Sequence, residues 1–238
     1  METRVTEIAT DTYQLTTVVP GSPVTFNQFL IAADDPLLFH TGMRGIFPAV
    51  SAAVATVVPP ESLRWISFGH IEADESGAMN EWLALAPEAT VVQGFIGCMV
   101  SLGDMADREP RSLADGETLE IGGHVVQWFD TPHVPHGWEA GVMYDLTSRT
   151  LLCGDLFTWL GEFEPVIDGD IVGPAVAAED DMPGSYSLHP DSGAAIRRLA
   201  ELDVQTLAPM HASAFTGDCH KALLELADDL DRRVHALV

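Results

Sequence analysis

Four apolar segments of this chain each run into side chains that can bind a metal ion. The first, "LRWISF", is largely apolar. His70, Glu72 and Asp74 come soon after it, at alternating positions. Such a run is typical of a strand covered on both faces. The other segments lead into "DTPHVPHGW", "LLCGD" and "LAPMH", each at a point where a strand is expected to meet a loop. This pattern favours layered sheets whose strand ends gather at one rim.

The residue types at these strand ends suit a metal centre. Imidazole nitrogens and carboxylate oxygens, with no thiolate needed, are typical ligands of iron, manganese or zinc. Two neighbouring metal ions need a bridging carboxylate, and Asp155 is the candidate for that role. A single histidine at a strand end is more often an ordinary hydrogen-bonded residue, but four such ends are hard to explain in that way. The candidates are His70, Glu72, Asp74, His133, His136, Asp155 and His211.

The remaining pattern predicts an α/β fold. Helix "SGAMNEWLALAP" and strand "ATVVQGF" follow the first candidates, which places them at the carboxyl end of a strand, where open α/β sheets bind ligands. Hairpins are predicted for residues 22–42, "ETLEIGGHVVQWFDTP" and "AGVMYDLTSRTLLCGD". Further helices are predicted for "GIFPAVSAAVATVVPPESL", stopped by Pro59 and Pro60, for "SGAAIRRLAEL" and for the amphipathic "CHKALLELADDLDRRVHALV", with strand "VQTLAPMH" between the last two.

Composition narrows the class of protein. The 238 residues are 47% hydrophobic and contain no linker-like stretch, which favours a single domain over residues 1–238. A net charge of −25, from 36 acidic and 11 basic residues, disfavours nucleic acid and anionic membranes as partners. The N-terminal segment does not resemble a signal peptide and no apolar run is long enough to span a bilayer, so we expect a cytoplasmic protein.

The cysteines and the other histidines carry less information. The cysteines lack CxxC spacing, so we expect buried free thiols at Cys98, Cys153 and Cys219. His40, which ends a strand, is expected to have a structural role. Surface positions are expected for His124, His189, His220 and His235.

The order and spacing of the candidates resemble the metallo-β-lactamase fold, in its flavodiiron and oxygen-binding diiron branch. "HIEADE" has Glu72 where hydrolases of that fold usually have a second histidine. His136 and Asp155 lie nineteen positions apart (155 minus 136), as in that branch, and "APMH" supplies a last histidine. Because "FNQFLI", "ADESG" and "LAPEATVV" resemble the flanking segments, the resemblance covers nearly the whole chain. It implies a four-layer αββα sandwich.

The resemblance also implies a ligand set. One iron ion would be bound by His70, Glu72 and His136, and a second by Asp74 and His211, with Asp155 bridging the two. The nineteen-residue interval favours His136 over its neighbour in "HVPH". His133 would then be a hydrogen-bond donor behind the ligands or a gate over an open coordination position.

The chain departs from the family pattern at two places. Glu75 stands where the family commonly has a histidine, and it adds negative charge beside the metals if it points inward. Trp138 and Glu139 replace the usual residues after the histidine of the third segment.

The function implied by the resemblance is a non-haem diiron protein that binds dioxygen or nitric oxide. With two iron ions and no FMN-binding loop expected in this chain, its partner would be a separate electron donor, either a flavoprotein or a rubredoxin-like protein. The same site could act as an oxygen sensor that changes a signalling surface without turnover. A homodimer is expected from the resemblance.

The alternative is a dinuclear hydrolase, with zinc or manganese as the metal. It would act on a thioester, lactone or phosphoester through metal-bound hydroxide. The identity of the metal separates the two functions, because iron supports oxygen chemistry and zinc supports hydrolysis.

Overall fold

The computed structural model describes residues 2–237 and contains two seven-stranded sheets. The first sheet is formed, in this spatial order, by β1 (Thr3–Ala9), β2 (Thr12–Val18), β3 (Thr25–Ile31), β4 (Leu37–Phe39), β5 (Trp65–Ser67), β6 (Thr90–Gly94) and β7 (Arg111–Leu113). The second is formed by β12 (Val166–Ile167), β14 (Ala214–Phe215), β13 (Thr206–Ala208), β11 (Thr150–Leu152), β10 (Gly141–Asp145), β9 (Val125–Asp130) and β8 (Thr118–Glu120).

Eight α-helical segments are described in residues 2–237. They are α1 (Phe47–Val54), α2 (Ala73–Ser76), α3 (Met79–Leu85), α4 (Phe95–Gly97), α5 (Gly103–Met105), α6 (Val172–Asp181), α7 (Ser192–Ala200) and α8 (Cys219–His235). A π-helical stretch, Cys98–Leu102, joins α4 to α5, and short 3₁₀ turns lie at Arg44–Ile46 and Pro60–Ser62. Across residues 2–237, every helix is too short or too polar to cross a membrane.

The two sheets pack face to face with helices on both outer faces. Phe29 and Phe39 of the first sheet share a buried cluster with Trp128 and Leu152 of the second. The first sheet packs outward against α1 and α3, and the second against α6, α7 and α8. These four layers confirm the predicted αββα sandwich, in which each sheet buries both faces.

Strand direction sets where the candidate ligands lie. β9 is antiparallel to β10, β10 is antiparallel to β11, and β11 is parallel to β13. The carboxyl ends of β9, β11 and β13 therefore share one edge of the second sheet. In the first sheet, β5 lies parallel to β4 and β6. The candidate ligands lie after the carboxyl ends of β5, β9, β11 and β13.

Most predicted elements are present, with differences at their ends. The three predicted hairpins form as β3–β4, β8–β9 and β10–β11. Helix α1 ends at Val54, before the two prolines that were expected to stop it, and loose turns follow. The sequence analysis did not predict the β1–β2 hairpin, the helical residues 95–105 or α6.

The prediction of free thiols is confirmed, because all three cysteines are buried and none forms a disulfide. The surface assignment of His124 is wrong. Its ring is buried and its Nδ1 lies 2.7 Å from Oδ2 of Asp145, the last residue of β10. A buried carboxylate partner explains why a polar residue in a Gly-Gly turn folds inward.

Candidate metal centre

Six side chains from four loops converge at the rim of the sandwich. The loop after β5 and helix α2 supply three of them, and the loops after β9, β11 and β13 supply one each. The structure thus brings together residues that lie far apart in sequence: His70, Glu72, Asp74, His136, Asp155 and His211.

Four of these residues form a compact group. His70, Glu72, His136 and Asp155 each offer one ligand atom, and these atoms all lie within 4.8 Å of one another. Nε2 of His70 and Nε2 of His136 lie 3.0 and 3.2 Å from the same oxygen, Oε2 of Glu72. This group could hold one metal ion.

A second group lies against the other oxygen of Asp155. Nε2 of His211 lies 3.2 Å from Oδ2 of Asp74 and 3.4 Å from Oδ1 of Asp155. Oδ2 of Asp155 faces the first group, 3.6 Å from Nε2 of His70 and 3.9 Å from Nε2 of His136. One carboxylate therefore presents one oxygen to each group, which is the arrangement that a bridge between two metals requires.

Backbone contacts orient two of the histidines. Nδ1 of His211 lies 2.8 Å from the carbonyl oxygen of Thr25, and Nδ1 of His136 lies 3.2 Å from that of Ser185. A carbonyl accepts only from a protonated nitrogen, so both contacts leave Nε2 free to bind a metal. The amide of Asn27 on β3 also donates to the carbonyls of residues 209 and 212, on either side of His211.

The carboxylates of the site favour positive charge among them. Burial alone would lower the pKa of His70, but the surrounding carboxylates, with Glu75 foremost, raise it to about 12. Burial would likewise lower the pKa of His211, which Asp155 and Asp74 raise to about 10. Hydrogen bonds from His136 and His70 hold the pKa of Glu72 well below its usual value. Without a metal, protonated histidines balance the carboxylates, and a metal ion could take over that role.

Unpaired oxygens show that the residues fit a metal. Oδ1 of Asp74 and Oδ1 of Asp155 are buried and have no hydrogen-bond partner in the described part of the chain. Buried polar atoms are nearly always paired, so these two oxygens are suited to a cation. A set of three imidazoles and three carboxylates without a thiolate fits iron, manganese or zinc.

His133 and Glu75, the two further residues that the sequence places near the ligands, have different surroundings. The ring of His133 stacks on that of His189 with centroids 4.8 Å apart, and within residues 2–237 it has no hydrogen bond or ion pair to the six candidates. Glu75 is fully buried and lies on the Nδ1 side of His70, away from the converging Nε2 atoms. Its pKa is held well below the usual value, because two histidines outweigh the effect of burial.

Three residues near the site were not singled out as functional by sequence reasoning. His40 is fully buried with Nε2 3.3 Å from Oε1 of Glu75, and Asn27 and Ser185 hold the histidine loops as described above. The polar pair in the apolar segment "FNQF" is a sequence signal that could have identified Asn27. The role of Ser185 uses only its backbone carbonyl, so its sequence carries no signal.

A cavity of about 260 Å³ opens over the converging side chains. The segment 182–185 between α6 and α7 forms one wall, and Val24 and Thr158 contribute to the others. Glu179 holds this segment by accepting hydrogen bonds from the backbone N–H groups of residues 184 and 185. Four candidate ligands reach the cavity: Glu72, His136, Asp155 and His211.

Comparison with known proteins identifies the family. The family described as "ODP family beta lactamase" matches residues 24–212, a range that contains all six candidates. The chain belongs to this family. It also resembles several longer proteins over part of their length.

Two relatives illustrate this. One from Nostoc sp. PCC 7120, whose name places it among the diflavin flavoproteins A, is 27% identical over 195 residues, which is 79% of this chain and 33% of the relative. The rubredoxin-oxygen oxidoreductase of Megalodesulfovibrio gigas is 22% identical over 135 residues, covering 56% of this chain and 33% of the relative. This chain thus spans about a third of the length of each relative.

Solved structures share the fold. The rubredoxin oxygen:oxidoreductase of Desulfovibrio gigas superposes with a TM-score of 0.79 at 16% identity, covering 98% of this chain and 62% of that one. The metal-soaked Flv1 flavodiiron core of Synechocystis sp. PCC6803 gives a TM-score of 0.77 at 20% identity, covering 98% of this chain and 61% of that one. At these identities the likeness shows the fold, here that of a flavodiiron core.

Proposed function

We propose that this protein holds two iron ions and binds dioxygen or nitric oxide on the solvent-facing side of the pair. The first ion would be held by His70, Glu72 and His136, and the second by Asp74 and His211, with Asp155 shared. The observation that carries the proposal is the position of Asp155, whose two oxygens face the two groups at 3.4 to 3.9 Å.

The donor set supports iron and redox chemistry over hydrolysis. Three of the six side chains are carboxylates, whose hard anionic oxygens stabilise an oxidised metal after electrons have left it. A site that only activates water could use imidazoles throughout. The similarity to a rubredoxin-oxygen oxidoreductase in sequence and to a flavodiiron core in structure supports the same choice.

The size of the cavity supports a small ligand. Pockets for drug-sized molecules measure about 300 to 1,000 Å³, whereas a water molecule takes up about 30 Å³. The cavity of about 260 Å³ therefore suits a diatomic gas with a few waters better than a thioester with its acyl chain.

The residues around the centre would have three tasks. Two bound iron ions would supply the redox chemistry, with electrons from the separate donor. Asp155 sets the separation of the two groups, and the carbonyls of Thr25 and Ser185 keep His211 and His136 oriented with Nε2 inward. The segment 182–185, held by Glu179, limits what can enter from solvent.

The proposal assigns the electrons to a separate flavoprotein or rubredoxin-like donor. A sensor built on the same centre would bind the gas and need no continuous supply. A homodimer, a cytoplasmic location and a single domain over residues 1–238 stay predictions.

The deciding experiment is metal analysis of protein purified without added metal. Two iron ions per chain, with a visible absorption band that changes on exposure to oxygen, would support the proposal. Two zinc ions and a colourless protein would reject it in favour of the dinuclear hydrolase.

Oxygen uptake then separates a reductase from a sensor. Chemically reduced protein mixed with oxygen should give one spectral change of about one equivalent per iron pair and then stop. Adding a rubredoxin-type donor and its reductase should restart uptake if the protein is a reductase and leave it flat if it is a sensor. Continuous uptake from NADH with no added protein would contradict the assignment of electrons to a separate donor.

A further inference from the structure

A buried carboxylate lies directly behind the candidate metal centre. Oε2 of Glu75 accepts a hydrogen bond from the backbone N–H of His70, with 2.7 Å between the heavy atoms. Oε1 of Glu75 lies 3.2 Å from Nδ1 of His70 and 3.3 Å from Nε2 of His40. Glu75 and His40 are both completely buried, so bulk solvent reaches neither partner. The three side chains form a row that ends at the metal-facing Nε2 of His70.

The atoms in this row have only each other as partners. Nε2 of His40, Nδ1 of His70 and Oε1 of Glu75 have no other hydrogen-bond partner within residues 2–237. Their separations, 3.3 Å from Oε1 of Glu75 to His40 and 3.2 Å to His70, are within hydrogen-bonding range. Since buried polar atoms are nearly always paired, these contacts are the partners that the described residues offer to the three atoms.

Two glycines make room for the carboxylate. A Cβ on Gly69 would lie 3.3 Å from Oε2 of Glu75, and a Cβ on Gly154 would lie 3.3 Å from Oε1. Gly154 also has a φ of +54°, a conformation that side chains disfavour. Each glycine immediately precedes a candidate ligand, namely His70 or Asp155. The two ligand loops therefore close around Glu75, not around empty space.

The far end of the row is fixed as well. His40 has a φ of +65°, and its ring packs against Phe39 with centroids 4.4 Å apart. Its Nδ1 lies 3.3 Å from the carbonyl oxygen of Asn27, on the strand that also holds the His211 loop. With Nδ1 and Nε2 both in polar contact, the ring has little freedom to turn away from Glu75.

We infer that Glu75 is a positioning residue, which accepts the Nδ1 proton of His70, leaves Nε2 free for the first metal ion and is itself held by His40. A carboxylate that accepts at Nδ1 fixes the tautomer and the ring orientation of a metal-binding histidine. The inference rests on the proposed metal centre. Glu75 thereby differs from a seventh metal ligand, which would have to face the Nε2 side of His70.

The main test compares Glu75→Gln with Asp145→Asn, using Zn²⁺ as the probe. Asp145 is the matched control because it is also fully buried and bound to a histidine, His124, but it lies at the carboxyl end of β10, at the opposite edge of the sheet from the site. Competition with a chelator should show Zn²⁺ bound about 10- to 100-fold more weakly by Glu75→Gln. Two ions should still bind at saturation. The control should match the wild type in affinity, whatever its thermal stability.

Each other outcome rejects the inference in a recognisable way. An affinity change below twofold in Glu75→Gln would mean that Glu75 has a packing role only. Loss of a whole equivalent of Zn²⁺ at saturation would make it a ligand. If the wild type itself binds no metal, it is the proposed function that fails.

A second measurement needs no variant and covers the case in which Glu75→Gln does not fold. Nitrogen NMR of the histidine rings in the Zn²⁺-loaded wild type should show His70 with a proton on Nδ1 and the metal on Nε2. Coordination through Nδ1, or an Nδ1 without a proton, would overturn the inference.

Discussion

Replacing the shared carboxylate by its neutral isostere gives a sharp test of the two-metal arrangement. Asp155→Asn keeps the shape of a side chain that is only 8% exposed and removes one negative charge. Its oxygens lie 3.4 to 3.9 Å from three imidazole nitrogens, so a cation bound by either group would lie within about 4 Å of that charge. At that distance and an effective dielectric constant of about 20, one unit of charge attraction is about 4 kcal/mol.

That energy corresponds to about three orders of magnitude in affinity. Because the asparagine oxygen can still contribute one weak contact, we expect a loss of roughly 100- to 1,000-fold for at least one ion. Metal content after gel filtration should fall below two per chain, and chelator competition should give the affinities. Asp145→Asn, equally buried and histidine-bound, controls for the loss of a buried charge. Two ions retained at wild-type affinity in Asp155→Asn would refute the bridge.

Three further predictions follow from the site. His136→Ala should lose metal while His133→Ala, whose ring stacks on His189, should keep two ions; the reverse metal contents would reverse the assignment. Simple thioesters and phosphodiesters should be turned over well below roughly 1 per second in a chromogenic assay, and faster turnover would favour the hydrolase. The pKa values of His70 and His211 are raised from 6.5 to about 12 and about 10. The two protonated histidines therefore contribute fully to the stability of the metal-free protein below about pH 6.5. This contribution declines as the pH rises towards 10. Metal binding instead requires deprotonated histidines, so the gain in melting temperature on adding Zn²⁺ should widen between pH 6 and pH 9, and a constant gain would contradict this reasoning.

The sequence predicted the elements whose pattern is local. The apolar run before His70 and the Gly-Gly and Thr-Ser-Arg turns each specify their structure within about ten residues, and all of them are present. The β1–β2 hairpin, which was not predicted, also has a local signal in the β-branched residues of "TRVTEIA" and "TYQLTTV".

Features that depend on distant segments could not be predicted. The inward direction of Glu75 is set by space at Gly69 and Gly154 and by a histidine thirty-five positions earlier (75 minus 40). His124 was expected at the surface because its partner, Asp145, lies twenty-one positions later (145 minus 124), at the end of β10. The six candidate ligands were chosen by residue type and spacing, and the structure brings them together. Which of them bind a metal stays a prediction.

The origin of the ligands in both sheets has a consequence for how the protein matures. The six side chains span 141 positions (211 minus 70), and they meet only where the ends of β5, β9, β11 and β13 come together. Closing contacts over such separations is slow, because the entropy of long loops must be overcome first. The segment with His70, Glu72 and Asp74 is local, but each proposed ion also needs a histidine from a later loop, His136 or His211, and both share Asp155. A metal held in the proposed way would therefore be acquired by a nearly finished sandwich, so the ion would lock the fold and would not template it.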